Sequence, residues 1–344
     1  MIKLALVSPF TFPDYCGNSV LVDRLQKGLA KRGHEVALFN SNKDEPEQVM
    51  QFSPQIIHSF NAERTSQWMK HLKTRLRAPW VITLTGTDYT PWCGIKDPPV
   101  RIKENLEHAD ALIVFHELAA ISLSASLPML KNKIHIIPQG VSSLKGREDR
   151  EMVRAKYGIK QDETVFLMVA GLRPVKNIPF ALKVFYEVKK QVPEVVLLHL
   201  GPVMDKEEAK QILALSENLS CFRSLGGLRP REVRELMRAA DVLMNTSLHE
   251  GMSGAILEAM AEGLPILASN AEGNLALVQE NINGFIFSVE DQHALTERAI
   301  ELARNPSLRK KMGEESKSLA RQNYSEKKER GLHVQVYQGL IRSL

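Results

Sequence analysis

Residues 3–39 open with Lys3-Leu-Ala-Leu-Val-Ser8, continue through Leu21, Leu25, Gly28 and Leu29 at helical spacing, and close with Gly33-His34-Glu35-Val-Ala-Leu-Phe39. An apolar run, an amphipathic stretch with a glycine exit and a second apolar run predict strand, helix and strand. Neither run alternates polar with apolar residues. Such strands belong to a parallel sheet covered on both faces. The pattern recurs, with strands expected at 55–59, 80–85, 111–115 and 133–138. It lapses across 139–163, which is charged and polar, and then restarts. Further strands are expected at 165–170, 195–200, 241–245, 265–268 and 285–288, with helices at 180–191, 205–217, 230–239 and 255–262. The expected fold class is α/β: two Rossmann-like, doubly wound parallel-sheet domains facing a central cleft. The expected divisions are a first domain over 1–142, a linker and short helix over 143–163, a second domain over 164–323, and a C-terminal helix over 324–344 packing back on the first domain. Doubly wound sheets bind ligands at the carboxyl ends of their strands, so function is read from the loops that follow strands.

The composition bounds the chemistry. The 344 residues include 45 Lys and Arg, 40 Asp and Glu, and 44% hydrophobic residues, enough for two cores. A formal charge of +5 suits an anionic small molecule or a membrane surface and is too weak to argue for nucleic acid. Residues 1–150 hold 19 basic and 15 acidic side chains, with a basic run from Lys70 to Arg77. That run reads either as a solvated helix end or as a peripheral membrane contact. Three cysteines, Cys16, Cys93 and Cys221, form no C-x-x-C pair, so a reducing compartment is expected and a disulfide framework or structural zinc is not. The N-terminal apolar run is short for a signal peptide. No stretch reaches about 20 uninterrupted apolar residues. A cytoplasmic protein is the expectation, peripheral to the inner face of a membrane if the basic run is used that way.

Three loops carry candidate chemistry. The first, Ser8–Ser19, has a single glycine. With no G-x-G-x-x-G or G-x-x-x-x-G-K-[ST] anywhere, hydride transfer and P-loop hydrolysis lose their usual support. Gly17-Asn18 before a helix can present backbone amides to a phosphate, or it is a simple turn. The second loop, Ala170-Gly-Leu-Arg173-Pro-Val-Lys176-Asn177, places a planar guanidinium and a point charge three residues apart. That pair suits a diphosphate, although two basic residues in a loop are also commonly solvated surface. The third runs from Asn245 to Pro265 and contains Glu250-Gly-Met-Ser-Gly-Ala-Ile-Leu-Glu258, an E-x7-E spacing across a loop and the helix it enters. Its small residues Gly251, Ser253, Gly254 and Ala255 leave room for a ligand at a helix N-terminus. Glu258 is placed to accept hydrogen bonds from a diol. Capping and surface roles are the alternative for both carboxylates.

At these residues the chain resembles the retaining glycosyltransferases of the GT-B fold, family 4, also called glycosyl transferases group 1. The resemblance spans nearly the whole chain and rests on 25–36, Thr85-Gly-Thr-Asp88, Pro138-Gln-Gly-Val141, 171–177, 250–258 and Asn283-Gly-Phe285. Its wording at 171–176 and 250–260 is most similar to the glycosyltransferase-1-domain-containing subgroup. The resemblance implies transfer of a sugar from a UDP- or GDP-sugar to an unidentified acceptor, with retention, without metal or other cofactor, and by front-face attack. Arg173 and Lys176 would hold the diphosphate, aided by the amides of Gly254 and Ala255 and by Gly17 and Asn18. Glu258 would hold the ribose. Glu250, with the Met252 and Ser253 amides, would orient the donor sugar, and Arg223 and Leu225 would lie near the nucleobase. The implied partners are the nucleotide sugar and the acceptor, not nucleic acid.

Three departures from the family pattern stand out. Thr85 occupies the place of a histidine that precedes Gly-Thr-Asp88 in many relatives. His116-Glu117 is a candidate substitute near the acceptor, or a helix start. Gly273-Asn274 stands where many members have Pro-Glu, which alters the donor-sugar loop, and Tyr324-Ser-Glu326 lies where a Trp commonly follows. The acceptor-side candidates are therefore Thr85, Asp88, His116 and Glu117, with the loops 9–19 and 87–100. A nucleotide-sugar epimerase or hydrolase on the same scaffold, or a non-catalytic sugar-nucleotide binder, is the alternative function.

Overall fold

A computed structural model describes residues 1–344 apart from 15, 91, 93–96, 145, 147–148 and 344. Cys93, parts of the acceptor-side loops 9–19 and 87–100, and part of the expected linker 143–163 therefore lie outside the described residues. The chain divides into two compact units. The first comprises Met1–Gly140, Glu250–Met252 and Ser325–Leu344; the second comprises Val141–His249 and Ser253–Tyr324.

The first unit is built on β1 (Lys3–Ser8), β2 (Glu35–Asn40), β3 (Ile56–Phe60), β4 (Trp80–Thr83), β5 (Ala111–Val114) and β6 (Ile134–Ile136). All pair in parallel, in the order β2-β1-β3-β4-β5-β6. Their apolar side chains, among them Leu4, Val7, Ile57, Ile82 and Leu112, are buried on both faces of the sheet. β4 stops two residues before the expected end because the amides of Thr85 and Gly86 turn to the Asp88 carboxylate. The run expected over 133–138 yields only a three-residue edge strand; Lys133 itself ends a 3-10 turn over Pro128–Lys133, and Pro138 has no N–H for a ladder.

The C-terminal helix Glu326–Arg342 completes this unit. Tyr337 Oη lies 2.7 Å from His58 Nδ1, and Thr83 Oγ1 2.7 Å from His58 Nε2. Arg24 pairs with the buried Glu329 at 2.8 Å. Burial holds His58 and His333 below the usual histidine range, His58 further lowered by the neighbouring His333. A Cβ on Gly140 would lie 2.6 Å from Glu326 Cα, which explains a glycine in Pro138-Gln-Gly-Val141.

The second unit is built on β7 (Thr164–Val169), β8 (Val195–Leu200), β9 (Phe222–Ser224), β10 (Val242–Asn245), β11 (Ile266–Ser269) and β12 (Gly284–Phe287). They too are parallel, in the order β12-β11-β10-β7-β8-β9. Every strand expected from the sequence is present to within two residues or so. β9 is the addition: Phe-Arg-Ser is too short and polar to announce itself, and pairing with Leu197–His199 of β8 makes it a strand. From β7 the chain builds outward to β8 and β9 on one side, then returns to lay β10, β11 and β12 on the other. β7 and β10 are therefore neighbours at a topological switch point. In open α/β sheets the crevice at the carboxyl ends of such a pair is where ligands bind.

Candidate functional site

The loops that leave β7 and β10 flank that switch point and are fastened to each other. Arg173 O accepts from Lys176 N at 2.9 Å, closing a 3-10 turn over Pro174–Lys176. Asn177 follows in the left-handed region, at φ 50°, and the helix Ile178–Gln191 begins. Thr246 Oγ1 donates to Lys176 O at 2.8 Å and to Asn177 O at 3.2 Å, while Leu248 N donates to Val175 O at 2.9 Å. The two basic residues thus sit on a loop whose backbone is held from the β10 side. Arg173 is half-buried, and its Nε is enclosed without an acceptor. A buried donor left unpaired in this way is costly unless something else binds it.

The second half of the E-x7-E stretch begins the helix Gly254–Glu262. Ser253 is its N-cap, with Oγ accepting from Ile256 N at 3.4 Å. A buried amide network holds that cap. Asn245 Nδ2 donates to Ser253 Oγ at 3.2 Å, and Asn245 Oδ1 accepts from Ser247 N at 2.9 Å and Asn274 Nδ2 at 3.3 Å. Asn274 Nδ2 also reaches Ser269 Oγ at 3.0 Å, and Ser269 Oγ donates to Ser247 O at 2.6 Å. The amides of Gly254 and Ala255, at the first two helical positions, have no partner inside the helix and carry its positive dipole end. Glu258 lies one turn further in, half-buried. The sequence pattern puts Gly273-Asn274 in a donor-sugar loop and gives Ser269 no role. In the structure Asn274 and Ser269 are fully buried and brace the N-cap. The signal in the sequence is a polar residue ending an otherwise apolar strand, a few residues before an Asn.

The first half of the stretch, Glu250–Met252, belongs to the first unit. Met252 O accepts from Gln139 Nε2 at 3.1 Å, and Gly251 O lies 2.7 Å from His116 Nε2. His116 also caps the helix Glu117–Ser126, accepting from Ala119 N through Nδ1 at 3.1 Å. Nδ1 must then carry a lone pair and Nε2 the proton, so the ring is the neutral Nε2–H tautomer. Burial lowers its pKa, against an opposite pull from Gly251 O. The helix-start reading of His116 is what the geometry shows, while Glu117 beside it is exposed.

Thr85 Oγ1 accepts from Asn61 Nδ2 at 3.1 Å. Asp88 is fully buried and accepts from Thr85 N at 2.9 Å and Gly86 N at 3.0 Å through Oδ1, and from Ala62 N at 2.7 Å through Oδ2. Burial pushes its carboxyl up to about 6 despite those N–H groups. Asp88 therefore shapes the loop.

Gly251 serves a different purpose from the one its sequence context suggests. Its missing Cβ leaves room for protein rather than ligand: a Cβ there would lie 2.7 Å from Gly86 Cα and from Thr85 O. Gly86, at φ +117°, would place its own Cβ 2.6 Å from Gly251 N. Gly86→Ala combines left-handed strain with a backbone clash and is expected to cost about 1–3 kcal/mol. Chemical denaturation checks this; a variant as stable as wild type would show that the two backbones can separate freely. At Gly17, by contrast, a methyl group would meet nothing within 4 Å, and the residue is exposed at the start of the helix Gly17–Ala30, with Asn18 half-buried beside it.

Arg223, expected near a nucleobase, has its guanidinium on Glu163 Oε1 at 2.6 Å and Gly158 O at 2.9 Å. Leu225 N donates to His199 O at 3.0 Å. His199, missed in the sequence, stands near the carboxyl end of β8 with Nε2 at 2.7 Å from Ala170 O and Nδ1 at 2.9 Å from Ser224 Oγ. It joins the loop after β7 to β9, and a lone His in Val-Val-Leu-Leu-His-Leu is the sign of it. Among the described residues no group of three His, Cys, Asp or Glu is placed to hold a metal ion, and no helix is long and apolar enough to cross a membrane.

Residues 149–319, most of the second unit, match the family model for glycosyl transferases group 1. Over nearly their full lengths the chain is similar to glycosyltransferase 1 domain-containing protein 1 of Xenopus tropicalis, at 26% identity covering 96% of this chain and 95% of the relative. It is likewise similar to N-acetyl-alpha-D-glucosaminyl L-malate synthase of Bacillus anthracis, at 24% identity covering 96% of each. Among solved structures, sucrose-phosphate synthase from Thermosynechococcus elongatus superposes with a TM-score of 0.80 at 18% identity, covering all of both chains. Anabaena HepE in complex with UDP and glucose superposes with a TM-score of 0.79 at 16% identity, covering 98% of this chain and all of that one. Two six-stranded parallel sheets, a basic loop and a capped helix at a switch point, and the family match over 149–319 together make this chain a group 1 glycosyltransferase of the GT-B fold.

Proposed function

We propose that the chain transfers a sugar from a nucleotide-diphosphate sugar, with UDP or GDP as the leaving group, to a nucleophilic acceptor with retention at the anomeric carbon. The observation that carries this reading is the fastening of the Arg173–Lys176 loop to the loop that leads into the Ser253-capped helix, at the β7–β10 switch point. Arg173 and Lys176 bind the diphosphate, and the unpaired Arg173 Nε finds its acceptor there. The Gly254 and Ala255 amides add to that anion site, and Glu258 accepts from the ribose hydroxyls. Glu250 orients hydroxyls of the donor sugar.

In the reaction the bond from the anomeric carbon to the β-phosphate oxygen breaks, and the bond to the acceptor forms on the same face. The acceptor's proton passes to the departing phosphate. The largest demand is stabilising charge on that phosphate, and fixed cations and helix amides meet it without reorganising. The same cations do the work that a divalent metal does elsewhere, so the reaction is proposed to be metal-independent. HepE, a structural neighbour, was solved with UDP, which makes UDP-sugars the first donors to try.

The test is a thermal-shift screen of UDP-, GDP- and ADP-sugars in EDTA, followed by nucleotide release with an acceptor panel that includes L-malate. Binding of the folded but not of the unfolded chain raises Tm by mass action. Stabilisation by a sugar nucleotide in EDTA, and nucleoside diphosphate released only with acceptor, is the expected result. Release without acceptor would indicate an epimerase or hydrolase. Binding that needs Mg²⁺ would overturn the metal-independent reading.

A further inference from the structure

On the second unit, bordered by the basic loop through Pro174 and Asn177 but not by Arg173 or Lys176, lies a groove of about 490 Å³ between the helices Ile178–Gln191 and Lys206–Ser216 and the loops after β10 and β12. That volume is in the range of small-molecule sites. Its apolar wall is Pro179, Phe180 and Leu248; its polar lining includes Lys183, Glu208 and Glu290. None of these three charged side chains makes a hydrogen bond or ion pair within the described residues.

Glu208 is the telling one. Only 8% of it is exposed, and its Oε1 is enclosed with no partner. Its place in the sequence predicts otherwise. Asp205 is the N-cap of Lys206–Ser216, and a Glu three residues on ordinarily reaches back to the cap's own N–H. Here Asp205 N is already given to Leu172 O at 2.9 Å, so Glu208 has nothing to reach back for. Burial, with Asp205 nearby, pushes its carboxyl above the usual range. A carboxylate oxygen enclosed without a donor costs stability, and the groove Glu208 lines is where a donor can come from.

We propose that this groove is a saccharide-binding site separate from the nucleotide-sugar site. Carboxylates are acceptor-only groups and call for a ligand rich in hydroxyl donors. Two carboxylates against one ammonium disfavour a phosphate, and Lys183 disfavours a simple cation. A sugar ring offers hydroxyls to Glu208 and Glu290 and its C–H face to Phe180 and Leu248. Pro174 and Asn177, at the edge of the groove, belong to the same loop as Arg173 and Lys176, so a bound saccharide would touch the turn that holds the proposed diphosphate site.

The test is saturation-transfer difference NMR on the full chain with maltotriose, chitotriose and methyl α-glucoside, each with UDP in excess. Transfer to at least one saccharide is expected to persist with UDP present. Glu208→Gln should weaken it about tenfold, the loss of one charge-assisted hydrogen bond, without lowering Tm or altering UDP affinity. Glu290→Gln, at an exposed position, gives the same reading if the buried substitution disturbs folding. Three silent saccharides, signals that UDP abolishes, or affinities unchanged in both variants would each overturn the proposal. None of these outcomes bears on UDP binding itself, so the nucleotide assignment is judged separately.

Discussion

Turnover is expected to fall about a hundred- to a thousandfold in Lys176→Ala, the loss seen when one fixed donor to a developing negative charge is removed. The fold is not expected to suffer. The loop is anchored through Lys176 O and Asn177 O to Thr246 and through Val175 O to Leu248, and alanine keeps every one of those backbone acceptors. The loss should appear mainly in kcat, because charge on the leaving phosphate grows in the transition state. Arg173→Lys should be nearly as damaging, since an ammonium does not reproduce a guanidinium fork. Glu250→Ala is also expected to lower turnover, through a misplaced donor sugar. The measurement is nucleotide release at saturating donor, with thermal unfolding alongside. Wild-type rates in Lys176→Ala and Glu250→Ala together would remove both assignments.

Arg154→Met should destabilise the second unit by about 3–5 kcal/mol, the cost of breaking a buried charge network from one side. Arg154 is 2% exposed and lies on the helix Arg150–Lys156. Its Nε donates to Ala239 O at 3.0 Å, its Nη1 to Lys160 O at 2.9 Å and Glu163 O at 3.0 Å, and its Nη2 to Asp241 Oδ2 at 2.7 Å. Asp241 Oδ2 in turn accepts from Val165 N at 2.8 Å, at the start of β7. Methionine fills much of the volume but leaves four carbonyls, those of Ala239, Lys160, Gln161 and Glu163, and one carboxylate oxygen short of a donor. Arg150, with its side chain 42% exposed and paired to Asp241 Oδ1 at 2.8 Å, is the control: Arg150→Met should cost less than about 1 kcal/mol. Urea unfolding with a probe in the second unit separates the two. Equal, small losses in both variants would show that the buried guanidinium is not what holds the helix to the sheet. Two units of this size can unfold in separate steps, so the transition must be assigned before a free energy is quoted.

Much of the architecture was legible because parallel strands buried on both faces must be apolar throughout. Runs such as Val195–Leu200 cannot be mistaken for half-exposed strands. Phe222–Ser224 was not legible, because a three-residue strand at a sheet edge is made by its neighbour's ladder and not by its own side chains. The candidate site divides in the same way. Arg173, Lys176 and the Ser253 N-cap announce themselves through local chemistry: cations in a post-strand loop, and a hydroxyl before a helix. Asn274 and Ser269 act on Ser253 through Asn245 from a different strand and turn, and no local pattern connects them.

The sequence by itself determined the class of fold, the number of sheets and the loops that carry the basic pair Arg173 and Lys176 and the N-cap Ser253. Each of these follows from periodicity and from residue types a few positions apart. Tertiary structure alone decided which loops are neighbours, and with that the roles of several residues. Strand order put the loops after β7 and β10 side by side although more than sixty residues separate them in the chain. It turned Gly251 from a space for ligand into a space for Gly86, and fixed His116 as a neutral cap. It also gave Asp205 N to Leu172, which left Glu208 without a partner. The physical reason is common to all of these: a hydrogen-bonding group or a missing Cβ takes its meaning from whichever atom comes within about 3 Å, and across distant segments that is set by packing.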